Sequence, residues 1–265
     1  MELSVAIPDS CLADESTQMD KSRKASVIAR ACSVFGVSAV YVYKDGGGDG
    51  RLLTTILRYL ETPPFLRKRL FPRINELKYA GVLSPLRIPS HTASSDPKSV
   101  SRGDVREGVV LSKGGRKFVD IGLGRPVPYS GQTIPPKRVT VRFERAPPDP
   151  VIREIPREEA GAYWGYRVKE RGRLGELLSG WKGRIILTSR KGSAISQSGI
   201  RSYAGTGEVL VVFGSTDKGI HGMLGGGTGR VQNARVLNFF PGQSSETVRL
   251  EEAMLGTFAI LRSGV

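Results

Sequence analysis

Along the first quarter of the chain, strand-length apolar runs alternate with segments whose apolar residues recur at helical spacing. Glu2–Pro8 (ELSVAIP) reads as a short strand. Asp20 is placed to cap a helix running to Phe35, with Ile28, Ala31, Cys32 and Phe35 as its buried stripe and Gly36 as its stop. Ser38–Tyr43 (SAVYVY) reads as a second strand, followed by the glycine-rich stretch KDGGGDG. RLLTTILRYLE then reads as a helix ended by Pro63 and Pro64. Strand–helix–strand–helix alternation predicts an α/β layer.

The pattern changes from about residue 90 to residue 160. Short β-like runs (EGVVLS, RKFVDIGL, RVTVRFE) are separated by Pro and Gly signals with little helical periodicity. This spacing predicts a small all-β barrel, and a five-stranded barrel of the OB kind suits the length. The α/β pattern returns at Gly183: GRIILTS, EVLVVFGS and ARVLNFF are apolar strands, the first two suited to a buried parallel sheet. Each ends in a small polar loop, TSRKGS, GSTDKG and PGQSSET. A last helix is expected over Ser245–Leu261, with apolar residues at 250, 253, 254, 258 and 261. The predicted organisation is one discontinuous α/β domain, residues 1–92 and 161–265, carrying an insert over residues 93–160.

Charge adds a partner to this picture. The formal net charge is +15, and its excess is local. Residues 51–90 hold eight basic and two acidic side chains, and residues 98–145 hold eleven and four, whereas residues 207–265 hold five of each. A basic first half beside a neutral last part points to a polyanion surface on one region and different work on the other. The two cysteines, Cys11 and Cys32, allow at most one bridge, and with His91 and His221 they form no zinc spacing, so no metal is expected. No apolar run is long enough to span a membrane and no secretory pattern opens the chain; a cytoplasmic protein is expected.

Among the motifs, the glycine run GGGTG (residues 225–229) lacks the Lys-Ser/Thr pair of a phosphate loop, and GSTDKG continues with Ile220 in place of Lys. No GxGxxG follows the first strand. The three strand-end loops carry more weight as a set. In parallel sheets ligands bind beyond the carboxyl ends of the strands, and small residues there leave room for a flat base and a short charged tail.

Blocks in order along nearly the whole chain resemble the SPOUT class of RNA methyltransferases, in its archaeal and eukaryotic branch with a barrel insert. They are IARACSVFGV (28–37), YLETPPFLRKRLFP (59–72), LKYAGVLSPLRIPSH (77–91), REGVV (106–110), YWGYRV (163–168), LTSRKGS (187–193), LVVFGS (210–215) and LNFFPGQSSETVRLEEAMLGTFAIL (237–261). The resemblance implies a trefoil-knotted parallel-sheet domain with an inserted OB-like barrel, paired as a homodimer through the knot. It also implies S-adenosylmethionine as cofactor. The matching positions are Thr188 and Ser189 on the first loop, Phe213, Gly214 and Ser215 on the second, and Asn238, Pro241, Gly242, Gln243, Ser245 and Thr247 on the third. Ser244 and Glu246 depart from the family pattern, and Glu246 suits a helix N-terminus.

Methyl transfer from a sulfonium requires the acceptor to be held in line with the methyl group. A uridine N3 or a ribose hydroxyl must also lose a proton. Arg30 and Arg23 are the candidates for orienting the acceptor or stabilising its anion, because a guanidinium stays charged. For RNA contact the candidates are Arg67, Lys68, Arg69 and Arg73 in FLRKRLFPR, with Arg116, Lys117, Lys137, Arg138 and Arg142 on the insert. Trp164 and Tyr166 read as core residues, His91 and His221 as loop or surface histidines. The expected activity is S-adenosylmethionine-dependent methylation of RNA, ribosomal RNA first, with a uridine nitrogen favoured over a ribose hydroxyl. The alternative is a non-catalytic RNA-binding or ribosome-assembly factor of the same fold.

Overall fold

The computed structural model describes residues 1–91, 94–205, 207–215, 218–225 and 227–264. The boundary expected between residues 92 and 93, Thr216 and Asp217 of the second loop, and Gly226 of the glycine run lie outside the described residues. The chain opens with β1 (Glu2–Pro8), α1 (Gln18–Val34), β2 (Val37–Lys44), α2 (Gly50–Glu61) and α3 (Pro64–Leu70). Next come β3 (Val105–Lys113), β4 (Arg116–Asp120), β5 (Val127–Pro128), β6 (Lys137–Arg145) and β7 (Val151–Ile155). It continues through β8 (Arg167–Arg173), α4 (Leu174–Ser179), β9 (Arg184–Ala194) and α5 (Gln197–Arg201). Finally β10 (Glu208–Val212), α6 (Gly219–Met223), β11 (Ala234–Asn238) and α7 (Leu250–Arg262) complete it. No helix of the described residues is long and apolar enough to cross a membrane.

Two compact units result, one of residues 1–61, 73–86 and 166–265, the other of residues 62–72 and 87–165. The first is a parallel six-stranded sheet in the order β11-β9-β10-β1-β2-β8, so both ends of the chain share one sheet. β1 sits near its middle and is buried from Leu3 to Pro8, as suits a run that is apolar apart from Ser4. One face is covered by α4 and α6 through Leu174, Leu177, Leu178 and Ile220, packed on Tyr41, Tyr43, Leu187 and Val212. α1 and α7 lie together, where Phe258 meets Phe35 and Phe213 edge to face at 6.0 and 6.1 Å. Full burial of such a side chain stabilises by roughly 1.5–3 kcal/mol. Arg262 closes the end of α7, donating to the carbonyls of Phe35, Gly36 and Met1.

Two helix starts differ from the sequence reading. α1 is capped by Thr17, whose hydroxyl accepts from the Asp20 N–H, so Asp20 falls in the first turn. The Thr17 hydroxyl also donates to the Asp20 carboxylate at 2.6 Å, fixing the cap. Gly36 does stop this helix, in the left-handed region at φ +63°. α7 begins at Leu250, five residues later than Ser245, because Ser245 and Gln243 are engaged in a turn.

The second unit carries an antiparallel sheet of five strands, β5-β4-β3-β6-β7, curled around Val110, Val119, Ile121, Val139, Val141 and Phe143. The sequence suggests a small barrel of the OB kind. Among the described residues the end strands β5 and β7 share no hydrogen-bonded ladder, so the sheet is a half-barrel. Its edges are held by side chains instead: the Tyr129 hydroxyl donates to Glu154, and the Thr133 hydroxyl reaches the same carboxylate at 3.1 Å. Glu107, buried on β3, accepts from Arg138 at 2.7 Å and from Thr140 and Trp164 at 2.6 Å each. A buried carboxylate is tolerable when saturated with donors in this way.

Candidate functional site

The carboxyl ends of β9, β10 and β11 border a cleft of about 840 Å³. Its first wall is an interruption within β9. Leu187 pairs with Val236 of β11, and the next pairing is Ser193 with Leu237, so residues 188–192 bulge out before the strand resumes. Thr188 donates to the Val212 carbonyl at 2.9 Å, tying the bulge to β10. Gly192 ends it where only hydrogen fits: a Cβ there would stand 2.7 Å from the Leu237 carbonyl carbon.

The second wall follows β10 as Phe213, Gly214 and Ser215. Gly214 is needed for close approach, because a Cβ would come within 2.7 Å of the Gly219 carbonyl carbon and the Ile220 nitrogen at the start of α6. Phe213 is anchored from below, its carbonyl accepting from the buried Tyr43 hydroxyl at 2.6 Å. The third wall follows β11. Asn238 donates to the Arg190 carbonyl at 3.1 Å and accepts from the Phe240 N–H at 2.9 Å, linking the third wall to the first. Gly242 turns the chain at φ +76°, and Gln243 braces the loop by donating to the Ser245 carbonyl at 2.9 Å.

Of the sequence candidates for a cofactor, Thr188, Ser189, Phe213, Gly214, Ser215, Asn238, Gln243 and Thr247 line this one cleft. Pro241, Gly242 and Ser245 belong to the third loop without lining it. Arg23 and Arg30 do not line it. Arg23 is exposed on α1 and pairs with Asp20 at 3.0 Å, while Arg30 donates to the Leu86 carbonyl at 2.9 Å and to that of Pro85. Ser244 does not line the cleft, and Glu246 does, its carbonyl accepting from Arg190 at 2.8 Å.

Other lining residues come from segments far apart in sequence. Asp14, after β1, is gripped by Lys24 of α1, with 2.6 Å to both carboxylate oxygens. Lys24 is buried and also stands 3.1 Å from Glu251. Arg249, beside it in the cleft, pairs with Glu15 at 3.0 Å. The segment after β1 is therefore stitched to the start of α7. His221 of α6 lines the cleft as well, although the sequence reads it as a loop or surface residue. Thr257 of α7 contributes a buried hydroxyl with no hydrogen-bond partner among the described residues. No local motif marks Asp14 or Thr257; only the tertiary packing of their elements does.

In the second unit most of the candidate RNA contacts are already engaged. Arg67 donates to the Thr62 carbonyl, Arg69 pairs with Asp120 at 2.5 Å, and Arg138 is bound to Glu107. Lys117 donates to the Gly131 carbonyl and Arg142 to that of Glu159. Lys68, Arg116 and Lys137 are exposed, as is Arg73 of the first unit. Trp164 and Tyr166 are buried, the Tyr166 hydroxyl donating to the Leu57 carbonyl at 3.0 Å. His91 ends a short 3-10 turn and is half-buried.

The family model described as "Putative RNA methyltransferase" matches residues 2–261. The chain is 34% identical to an uncharacterised protein of Halobacterium salinarum, over 98% of this chain and 99% of that one. It is 32% identical to a Homo sapiens protein named 28S rRNA (uridine-N(3))-methyltransferase, over 99% of this chain and 78% of that protein. A Mus musculus protein of the same name is 31% identical, over 99% of this chain and 76% of its own length.

Proposed function

The chain belongs to this family of RNA methyltransferases, and on that premise we propose that it moves a methyl group from S-adenosylmethionine to a uridine N3 of ribosomal RNA. The observation that carries the reading is the cleft itself: three small-residue walls at the ends of adjacent parallel strands. Its volume falls within the ~300–1,000 Å³ of ordinary small-molecule sites. The residues also fit such a ligand. Gly214 lets the second wall pack directly against the start of α6, and the lone Thr257 hydroxyl calls for a polar partner.

When bound, S-adenosylmethionine supplies an electrophilic methyl carbon on a cationic sulfur. In this reading the peptide groups around Thr188, Ser189, Phe213, Gly214, Ser215 and Gln243 recognise the adenine edge, and Gly242 turns the third loop so that Gln243 reaches the cleft. Arg190, Lys191 and Arg249 are the lining cations that suit a carboxylate tail. Asn238, Pro241, Ser245 and Thr247 hold the third loop in shape. The remaining need is at the acceptor, because N3 of uridine carries a proton that must leave.

The finer fold is part of the proposal: a trefoil knot in the α/β domain of residues 1–92 and 161–265, an OB-like RNA-binding insert over residues 93–160, and a homodimer. One face of α1 supports the pairing. Val27 and Val34 are 40% and 57% exposed there, and Leu255 of the adjoining α7 is 38% exposed. Arg23 and Arg30 recur on the same face at helical spacing. In the paired state these guanidiniums meet the RNA at the joint between copies and stabilise the uridine anion. Arg67, Lys68, Arg69, Arg73, Arg116, Lys117, Lys137, Arg138 and Arg142 then serve RNA either as contacts or, where engaged, as braces of the contacting surface.

Isothermal calorimetry tests the reading. Saturable S-adenosylmethionine binding is expected, lost in Gln243→Trp, which fills the third wall. Absence of binding at millimolar cofactor would remove the enzyme reading and leave the non-catalytic RNA-binding factor.

A further inference from the structure

β8 forms the outer edge of the parallel sheet and reads RVKERGR. Side chains alternate along a strand, so Arg167, Lys169 and Arg171 share one face and Glu170 takes the other. The contacts agree. Lys169 Nζ lies 5.0 Å and Arg171 Cζ 5.4 Å from the centre of the same Tyr41 ring on β2. Lys169 also donates to the Tyr41 hydroxyl at 3.0 Å. Trp181 packs edge-on against this tyrosine at 5.6 Å and gives the pair of cations a rigid floor. Glu170, the strand's one carboxylate, is paired with Arg58 of α2 at 2.7 Å.

Two cations thus converge on one ring, and among the described residues no carboxylate forms an ion pair with Lys169 or Arg171. Charge on an edge strand also discourages sheet-to-sheet aggregation. That purpose does not call for stacking two cations on one aromatic ring without a counter-ion, which leaves like charges mutually repelling until an anion arrives. Alternate residues of a strand are about 6.6 Å apart, so the row presents its charges at regular intervals, as a nucleic-acid backbone does. At the end of the strand Arg173 pairs in register with Lys44, extending the positive edge toward the carboxyl ends of the strands, the end at which the cleft opens.

We propose that the Arg167–Lys169–Arg171 face of β8 is a phosphate-binding rail that holds a single RNA strand on the α/β unit itself, separately from the basic residues of the other unit. The proposal rests on the RNA-methyltransferase reading and adds a surface to it. RNA is the occupant because it offers a repeating anion to a repeating cation row.

The test compares the full chain with the variant Arg167→Gln/Lys169→Gln/Arg171→Gln. Anisotropy of a labelled oligouridine is followed from about 50 to 200 mM salt. Loss of three phosphate contacts on a single strand should lower the slope of log K against log salt by about 2, with affinity down about tenfold near physiological salt. The charge-keeping variant Lys169→Arg/Arg171→Lys should bind as the parent does. Calorimetry with S-adenosylmethionine on the same samples reports an intact fold. Should the triple variant fail to fold, Lys169→Gln alone should reduce the slope by about 0.7. An unchanged slope with cofactor binding intact overturns the rail, as does selective loss of polyglutamate binding, which would mark an acidic protein as the occupant. Loss of cofactor binding in the parent would strike the methyltransferase reading instead.

Discussion

Gly214 shows how one residue can shape the cleft without offering a side chain to it. Any Cβ at this position collides with backbone at the start of α6, and backbone cannot swing aside as a flexible side chain can. Gly214→Ala therefore has to displace α6 or the second wall, a strain of about 1–3 kcal/mol. If that strain falls on the bound state, S-adenosylmethionine affinity drops about tenfold or more, since 1.4 kcal/mol is a factor of ten. Calorimetry on the folded variant checks this, and parental affinity would show that the second wall is not part of the site. The small residues of the three loops were legible in sequence because polar strand ends are local signals. Asp14 and Thr257 were not, since each reaches the cleft only through the packing of α1 and α7. The engagement of Arg138 by Glu107 was equally hidden, because an acidic partner thirty-one residues away in sequence becomes a neighbour only through strand pairing.

Among the elements, α1 and α7 bury one apolar face and leave a second one exposed. Their inner surfaces bury Ile28, Cys32, Met254 and Phe258, while Val27, Val34 and Leu255 remain outside. Burial also pushes the Cys11 and Cys32 thiols well above their ordinary range, so both cysteines stay protonated packing residues. The outer apolar face is the proposed pairing surface. Val34→Glu places a charge where apolar contact is needed, and light scattering should then give the mass of a single chain where the parent gives twice that. A parent that is itself monomeric at micromolar concentration would refute the pairing. The existence of α1, α2 and α7 was legible from periodicity, but the starts of α1 and α7 were not, and the short helices α3 to α6 were not foreseen. The Ser245 hydroxyl has a local choice between capping a helix and bonding the Thr247 carbonyl, and it takes the latter. The break in β9 was likewise invisible, because only the resumed pairing of Ser193 with Leu237 turns a loop into a bulge within one long strand.

At the scale of the whole molecule, the basic excess of residues 51–90 and 98–145 lies on segments that do not line the cleft, while the cleft draws its own cations, Arg190, Lys191, Lys218 and Arg249, from later in the chain. That separation suits a protein that binds a small cofactor on one set of loops and a polyanion on other surfaces. The uneven charge along the chain is enough to make this division readable. The parallel order β11-β9-β10-β1-β2-β8 was not readable, since it depends on which distant strands meet. The central claim joins both halves: a cofactor in the cleft and a uridine presented to it. The most direct measurement is mass spectrometry of nucleosides from unmodified ribosomal RNA incubated with the protein and S-adenosylmethionine. The account predicts 3-methyluridine that appears only with both protein and cofactor and fails to appear with Gln243→Trp. No methylated nucleoside, or methylation confined to ribose, would contradict it.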